Sequence, residues 1–309
     1  VFIEALQHYI SQLAISDRFK QQLSAEPTLK AYVFYVELPQ YLAPLFPRVS
    51  ETQLRDLTIY SYLYFSFIVT VDKLVDEPTA GGISHQTRRL FDVLSLQETA
   101  VQGLTTLFPV GTPFWAQFHQ CKQRYTAANL EEKKYAELRP ALTVQQFEHL
   151  AAGKSAICFA MVHALSNLGQ DTTHVEALLE CLASIHIGSQ YFDDVEDFAQ
   201  DWEQKQYTYA HAQVAAYLTN LGIDPEAIPV NLQHRYLYTS GLAYDLMEQG
   251  KKHYQHSLEL AQRLGLDQLA TYLEPQIATY TAQMSRVQQV VARARKAAQD
   301  SSTPTSLVA

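Results

Sequence analysis

The chain has 309 residues, 47% hydrophobic and 18% charged, with 11 Gly, 12 Pro and a formal net charge of −9. That length suits one large domain or two small ones, and the composition excludes a disordered or collagen-like chain. A negative balance without a sustained basic run argues against nucleic acid or an anionic membrane surface as partner. Cys121, Cys158 and Cys181 are odd in number and form no CxxC pair, which points to a reducing, cytoplasmic setting rather than a disulfide framework. The longest apolar run, Leu57 to Val71, is interrupted by Tyr, Thr and Ser and is too short to span a bilayer. The chain starts at Val1 without a Met, which leaves an earlier leader open.

Helical spacing of apolar residues runs from Phe2 to Leu23 and from Pro27 to Leu45, broken at Pro39 and Pro47. Ser50 is placed to cap a long helix that ends at Glu77, before Pro78, Gly81 and Gly82. Further helices are expected over Thr87–Leu107 and Phe114–Leu138. Thr143 with Gln146 forms a capping-box pattern opening a helix to Asn167. Helix is expected again from Asp171 through Ala199, then over Leu232–Leu264 and Asp267–Lys296. No alternating strand pattern and no linker stand out. The expectation is an all-α single domain of about ten helices over residues 1–296, with 297–309 a disordered tail.

Three features carry chemistry. In His186-Ile-Gly-Ser-Gln-Tyr-Phe-Asp-Asp-Val-Glu-Asp-Phe-Ala-Gln-Asp201, three aspartates, Asp193, Asp197 and Asp201, recur every four residues, with Asp194 beside the first. At about 100° per residue, these four with His186 and Gln190 fall within a sector of roughly 100°. Tyr191, Val195, Phe198 and Trp202 point the other way. Like charges four apart repel by only about 0.2–0.5 kcal/mol per pair, so an acidic surface face would tolerate them. They are also a ladder of hard oxygen ligands of the kind Mg²⁺ prefers. Independently, Asp72 and Asp76 share a helix face with Phe65, Ile68 and Val69, where buried charges need neutralising. Finally, Lys154 shares its face with Phe147, Cys158 and Met161, so it either snorkels to water or meets an anion.

Taken in order, these elements resemble the class I isoprenoid synthase superfamily of prenyltransferases, squalene/phytoene synthases and terpene cyclases. Asp72-x-x-x-Asp76 is similar to its first aspartate-rich motif. Gln190-x-x-Asp193-Asp194-x-x-Asp197-x-x-x-Asp201 is similar to its second, and Lys154-Ser155-Ala156 to the Lys-Thr-Ala element between them. The resemblance implies an all-helical barrel around a central cavity. It implies a cluster of three Mg²⁺ held by Asp72, Asp76, Asp193, Asp194, Asp197 and Asp201, with Asp72, Asp76, Asp193 and Asp197 catalytic. Lys154 and Lys205 would bind the diphosphate. Phe65, Ile68, Val69, Phe147, Cys158, Met161, His186 and Gln190 would line the cavity. Family analogy also implies a homodimer.

Departures from the pattern select the reaction. Nothing before Asp72 resembles the Gly-Gly-Lys-Arg element that binds a second diphosphate in elongating enzymes, and Arg88-Arg89 lies twelve residues beyond Asp76 rather than four. The expectation is a Mg²⁺-dependent terpene synthase that ionises one prenyl diphosphate and converts the cation to a hydrocarbon or alcohol. Head-to-head coupling is the first alternative and chain elongation the second. A helical metal-binding or interaction protein is the reading from outside enzymology. A di-iron bundle is disfavoured because no Glu-x-x-His pair occurs among the eleven histidines.

Overall fold

The computed structural model describes residues 2–76 and 82–302, and side chains over 2–75 and 82–296. Among the described residues there are fifteen α-helices and no strand. They are α1 (Ile3–Ser11), α2 (Asp17–Ser24), α3 (Glu26–Ala31), α4 (Val33–Leu42), α5 (Glu51–Asp76), α6 (Gly82–Leu107), α7 (Pro113–Leu138), α8 (Val144–Lys154), α9 (Ala156–Gly169), α10 (Val175–Glu196), α11 (Phe198–Glu203), α12 (Tyr209–Asn220), α13 (Val230–Ser240), α14 (Leu242–Arg263) and α15 (Asp267–Ser302). None of them is long and apolar enough to cross a membrane.

Fifteen exceeds ten because several expected helices are broken. The N-terminal one stops at Ser11 and restarts after Ser16. The Leu232–Leu264 helix divides at Gly241, whose φ of 102° closes the α13 C-terminus in the left-handed region that glycine tolerates. Other termini follow the expected chemistry. Ser50 and Gln53 exchange side-chain and backbone hydrogen bonds at the start of α5, and Thr143 and Gln146 close a capping box on α8. α15 runs past Lys296 to Ser302, and 303–309 lie outside the described residues, as do Pro78 and Gly81.

Two compact units emerge, and since the division falls within α7 and α10, no linker marks it. The first comprises 1–121, 157–178 and 264–266. Its core includes Leu6, Ile10, Phe34, Leu42, Leu57, Leu63, Leu96, Phe114 and Val162, with α5 packed along α6 and against α4. The second comprises 122–156, 179–263 and 267–309. There α14 packs on α15, α13 on both, and Tyr191, Phe192, Val195 and Phe198 are fully buried. Phe192 stacks on Tyr280 at 3.4 Å between centroids.

A glycine pair sets the depth of one contact in the second unit. A Cβ on Gly250 of α14 would stand 2.9 Å from the carbonyl oxygen of Gly188, and one on Gly188 would stand 2.9 Å from the carbonyl oxygen of Gly250. Only two glycines let the backbones of α10 and α14 come this close. The contact fixes α10 just before its acidic stretch.

Candidate functional site

The acidic ladder occupies the end of α10 and the whole of α11. The helix bends at Asp197, which has φ −92° and ψ 6°. The turn-to-turn bonding still carries through, with the Asp197 amide donating to the Asp193 carbonyl at 2.8 Å and the Asp201 amide to the Asp197 carbonyl at 2.8 Å. The three aspartates therefore keep their one-turn spacing. The opposite face is anchored by Tyr191, Val195 and Phe198, as the spacing predicts.

The carboxylates crowd one another. Asp193 keeps an exposed edge that gives a hydrated cation access, and Ser189 Oγ donates to it at 3.4 Å. The protein around it, and then Asp194 and Asp197, hold its carboxyl up at about 7. Half-buried Asp201 is held up to about 7 by the same causes, loss of solvent first. Asp194 differs in kind. It is buried, with Gln190 Nε2 donating to one oxygen at 2.7 Å and the Tyr209 amide to the other at 2.9 Å. Burial lifts its carboxyl to about 6 against the pull of Gln190, Lys154 and that amide. Asp194 thus ties α10 to the N-terminus of α12, while Asp193, Asp197 and Asp201 retain exposed surface.

Lys154 is the cation that draws down Asp193, Asp194 and Asp201. Its ammonium lies 2.5 Å from Glu132 of α7, so it arrives at the acidic cluster already paired. Glu132 was not legible in the sequence, where Glu131-Glu132-Lys133-Lys134 reads as a solvated helix face. Lys205, expected beside Lys154, is exposed in a left-handed conformation with φ 59°. Among the described residues no hydrogen bond or ion pair joins its ammonium to the carboxylates.

Of the residues expected to line a cavity, three do so together. Phe65, Cys158 and Met161 line an apolar void of about 60 Å³ in the first unit, with Tyr64, Phe114 and Phe118. This is far below the roughly 300–1,000 Å³ of ordinary ligand sites. The space is filled by aromatic rings, including Phe65 stacked on Tyr35 at 4.1 Å. Burial pushes the Cys158 thiol and the Tyr64 phenol up to about 12, so both stay protonated. Ile68 is buried and Val69 half-buried further along α5. Phe147, His186 and Gln190 belong to the second unit. There Phe147 stacks on Tyr209 at 4.6 Å, and His186 is buried and kept neutral, with its pKa lowered to about 4. Asp72 is half-buried on the last turns of α5, and the side chain of Asp76 lies outside the described residues.

The donors fit a hard divalent cation: exposed carboxylates whose mutual repulsion is only partly offset by one lysine. Among the described residues no three His, Cys, Asp or Glu side chains are arranged as a ready metal cage. Mg²⁺ does not require such a cage, since it usually keeps several waters and takes one or two carboxylates together with substrate phosphates.

No family model and no curated protein matches the chain. Among solved structures it is similar to a geranyltranstransferase from Thermotoga maritima, with a TM-score of 0.63 at 12% identity over 91% of this chain and 96% of that one. Coverage this complete at so low an identity is a statement about architecture. The chain shares the all-helical fold of that structure.

Proposed function

We propose that this protein is an enzyme acting on a prenyl diphosphate, breaking the allylic C–O bond and releasing diphosphate. The observation that carries the reading is the ladder of Asp193, Asp197 and Asp201, set on the rigid face of α10–α11 in a fold shared with a geranyltranstransferase. We assign Asp193, Asp197 and Asp201 of the second unit to Mg²⁺, and Asp72 and Asp76 as the carboxylates of the first. When bound, the metal supplies electrophilic stabilisation of the charge that develops on the departing diphosphate oxygens.

The chain's own groups do the rest. Lys154, held by Glu132, adds positive charge beside the ladder, where a diphosphate oxygen accepts from its ammonium. Asp194 keeps α10 and α12 in register and binds no substrate. The aromatic lining of the first unit, Tyr35, Tyr64, Phe65, Phe114 and Phe118, excludes water and presents ring faces to a hydrocarbon cation, each worth about 0.5–2 kcal/mol. With the void as small as it is, these rings have to repack around any prenyl tail.

The primary reading for the cation's fate is that of a terpene synthase, by deprotonation or water capture from a single substrate. Its support is the lack of a recognisable second-diphosphate element before Asp72. Chain elongation is the second reading, favoured by the likeness to the geranyltranstransferase. One experiment separates them: incubation with C10 to C25 prenyl diphosphates and Mg²⁺, with and without isopentenyl diphosphate, and mass analysis of the products. A hydrocarbon or alcohol from one substrate supports the first reading. A longer prenyl diphosphate that requires the second substrate supports the other. Release of no diphosphate from any of these substrates overturns both.

A further inference from the structure

α6 turns one face toward the start of α2, and both belong to the first unit. At about 100° per residue, His85, Arg88, Arg89 and Asp92 fall within a sector of roughly 100°. They line a groove whose other wall carries Ser16, Asp17 and Arg18. Its volume is about 840 Å³, within the roughly 300–1,000 Å³ of ordinary ligand sites and well above the aromatic void of about 60 Å³. The exposed apolar side chains of Ile83, Leu90 and Leu94 lie on the opposite side of α6 and take no part.

Three arginines line this groove from two helices, Arg18 from α2 and Arg88 with Arg89 from α6. Among the described residues no hydrogen bond or ion pair engages any of their guanidinium groups. The two carboxylates of the groove are already committed. Asp92 is buried and accepts from the Ser16 amide at 2.8 Å and from Ser16 Oγ at 2.6 Å. Asp17 is 94% exposed to solvent and lies 3.8 Å from Lys20. α6 also starts here with no acidic residue in its first turn, so the positive end of its dipole adds to the arginines. One unpaired arginine is ordinary on a protein surface. Three of them on one groove, beside an uncompensated helix start, make a place for an anion.

The chemistry of the walls narrows the ligand. Guanidinium forks match phosphate oxygens two at a time, which suits a phosphoryl group better than a single-point anion. The groove has room for more than a bare phosphate, and Ser84 and Gln22 offer polar groups to the rest of the molecule. Among its described lining residues Phe19 is the one apolar side chain, and at 4% exposure it gives a hydrocarbon tail no seat. The net charge of −9 repels an extended polyanion, whereas screening within about 8 Å lets a small anion meet only the local arginines. We propose that the groove between α2 and α6 binds a small soluble phosphate compound through Arg18, Arg88 and Arg89, without a metal ion. The site is independent of the acidic ladder, whose aspartates belong to the second unit and are assigned to Mg²⁺.

The test is isothermal titration of the full chain with inorganic diphosphate in excess chelator, where the ladder holds no Mg²⁺. Saturable binding with a Kd below about 1 mM is expected. It should be about tenfold weaker in R18Q and in R88Q, and about 100-fold weaker in R88Q/R89Q. R235Q, at an exposed arginine of α13, should bind like the parent. Circular dichroism confirms that each variant is folded. The proposal is overturned by absent binding in chelator, or by folded R18Q and R88Q/R89Q variants that bind like the parent. Citrate competing as well as diphosphate overturns the phosphate assignment in favour of anions at large. Binding to vesicles containing phosphatidylglycerol, with none to diphosphate, overturns it in favour of a lipid headgroup. Because Mg²⁺ is withheld, failure here leaves the ladder's assignment standing, and failure of Mg²⁺-dependent turnover leaves the groove's.

Discussion

Lys154 and Glu132 should be unequal partners. Their side chains are 26% and 16% exposed and their charged atoms lie 2.5 Å apart. Removing one partner of a buried pair costs about 3–5 kcal/mol, and the remaining exposure here discounts that to about 2–3 kcal/mol. The discounted cost applies to Lys154→Met, which keeps the aliphatic stem but leaves Glu132, Asp193, Asp194 and Asp201 without the cation they share. Glu132→Gln is different, because Lys154 still faces three aspartates. Its cost should stay below about 1 kcal/mol. Urea midpoints at pH 7.5 in chelator measure both, and the double variant should cost less than the sum. Added Mg²⁺ should then stabilise Lys154→Met more than the parent, the metal replacing the missing positive charge. The reasoning fails if Glu132→Gln is as costly as Lys154→Met, or if Mg²⁺ stabilises parent and variant alike.

Other consequences can be checked independently. Gly250→Ala should destabilise by about 1–2 kcal/mol in thermal or urea unfolding, since a Cβ 2.9 Å from the Gly188 carbonyl puts overpacking in the upper part of its range, about 2–3, and helix propensity returns about 1. An unchanged midpoint would show that α10 and α14 separate freely. Asp197→Asn should leave the helical circular dichroism signal intact while weakening Mg²⁺-dependent thermal protection in diphosphate and lowering turnover at least about 100-fold; protection equal to the parent's would remove Asp197 from the site. His186 and His211, both lowered to about 4 by burial, should stay neutral through pH 5. Because their folded values lie below the unfolded 6.5, each contributes stability that is complete above pH 6.5 and lost, by about 3 kcal/mol, as pH falls to 4. The raised carboxyls of Asp193, Asp194 and Asp201 act oppositely over the same window, so the check is the NMR titration of each imidazole. A midpoint near 6.5 for either would refute its burial.

Local chemistry was readable where it depends on neighbours in the chain. Ser50 with Gln53, and Thr143 with Gln146, announce their helix starts because the capping bonds span three residues. The burial of Tyr191, Val195 and Phe198 follows from helical phase alone. What escaped depends on tertiary packing or on unusual backbone. The break between α8 and α9 falls at Ser155, with φ −100° and ψ 4°, and Gly153 two residues earlier, inside α8, is too weak a signal to place it. The pairing of Lys154 with Glu132 crosses 22 residues and exists only because α7 packs on α8. The start of α12 was hidden because Thr208 is boxed by His211, where the familiar pattern has Glu or Gln.

Asp193 and Asp194 look interchangeable as letters, yet one helical step of about 100° separates an open carboxylate from a sealed one. The sealed one explains how a bent helix can carry a usable ladder. A bend at Asp197 left to itself would let α11 swing and scatter the aspartates it carries. α12 prevents this from both sides of the bend. Before it, Asp194 accepts the Tyr209 amide. After it, His211, whose Nδ1 accepts from the Thr208 amide, donates through Nε2 to the Phe198 carbonyl at 2.9 Å. The Asp194 bond satisfies a first-turn amide of α12 that would otherwise be buried unpaired, at a cost of about 1–3 kcal/mol, and the His211 bond ties the first carbonyl of α11 to the same helix. One aspartate is thereby withdrawn from the surface so that the three around it hold their spacing.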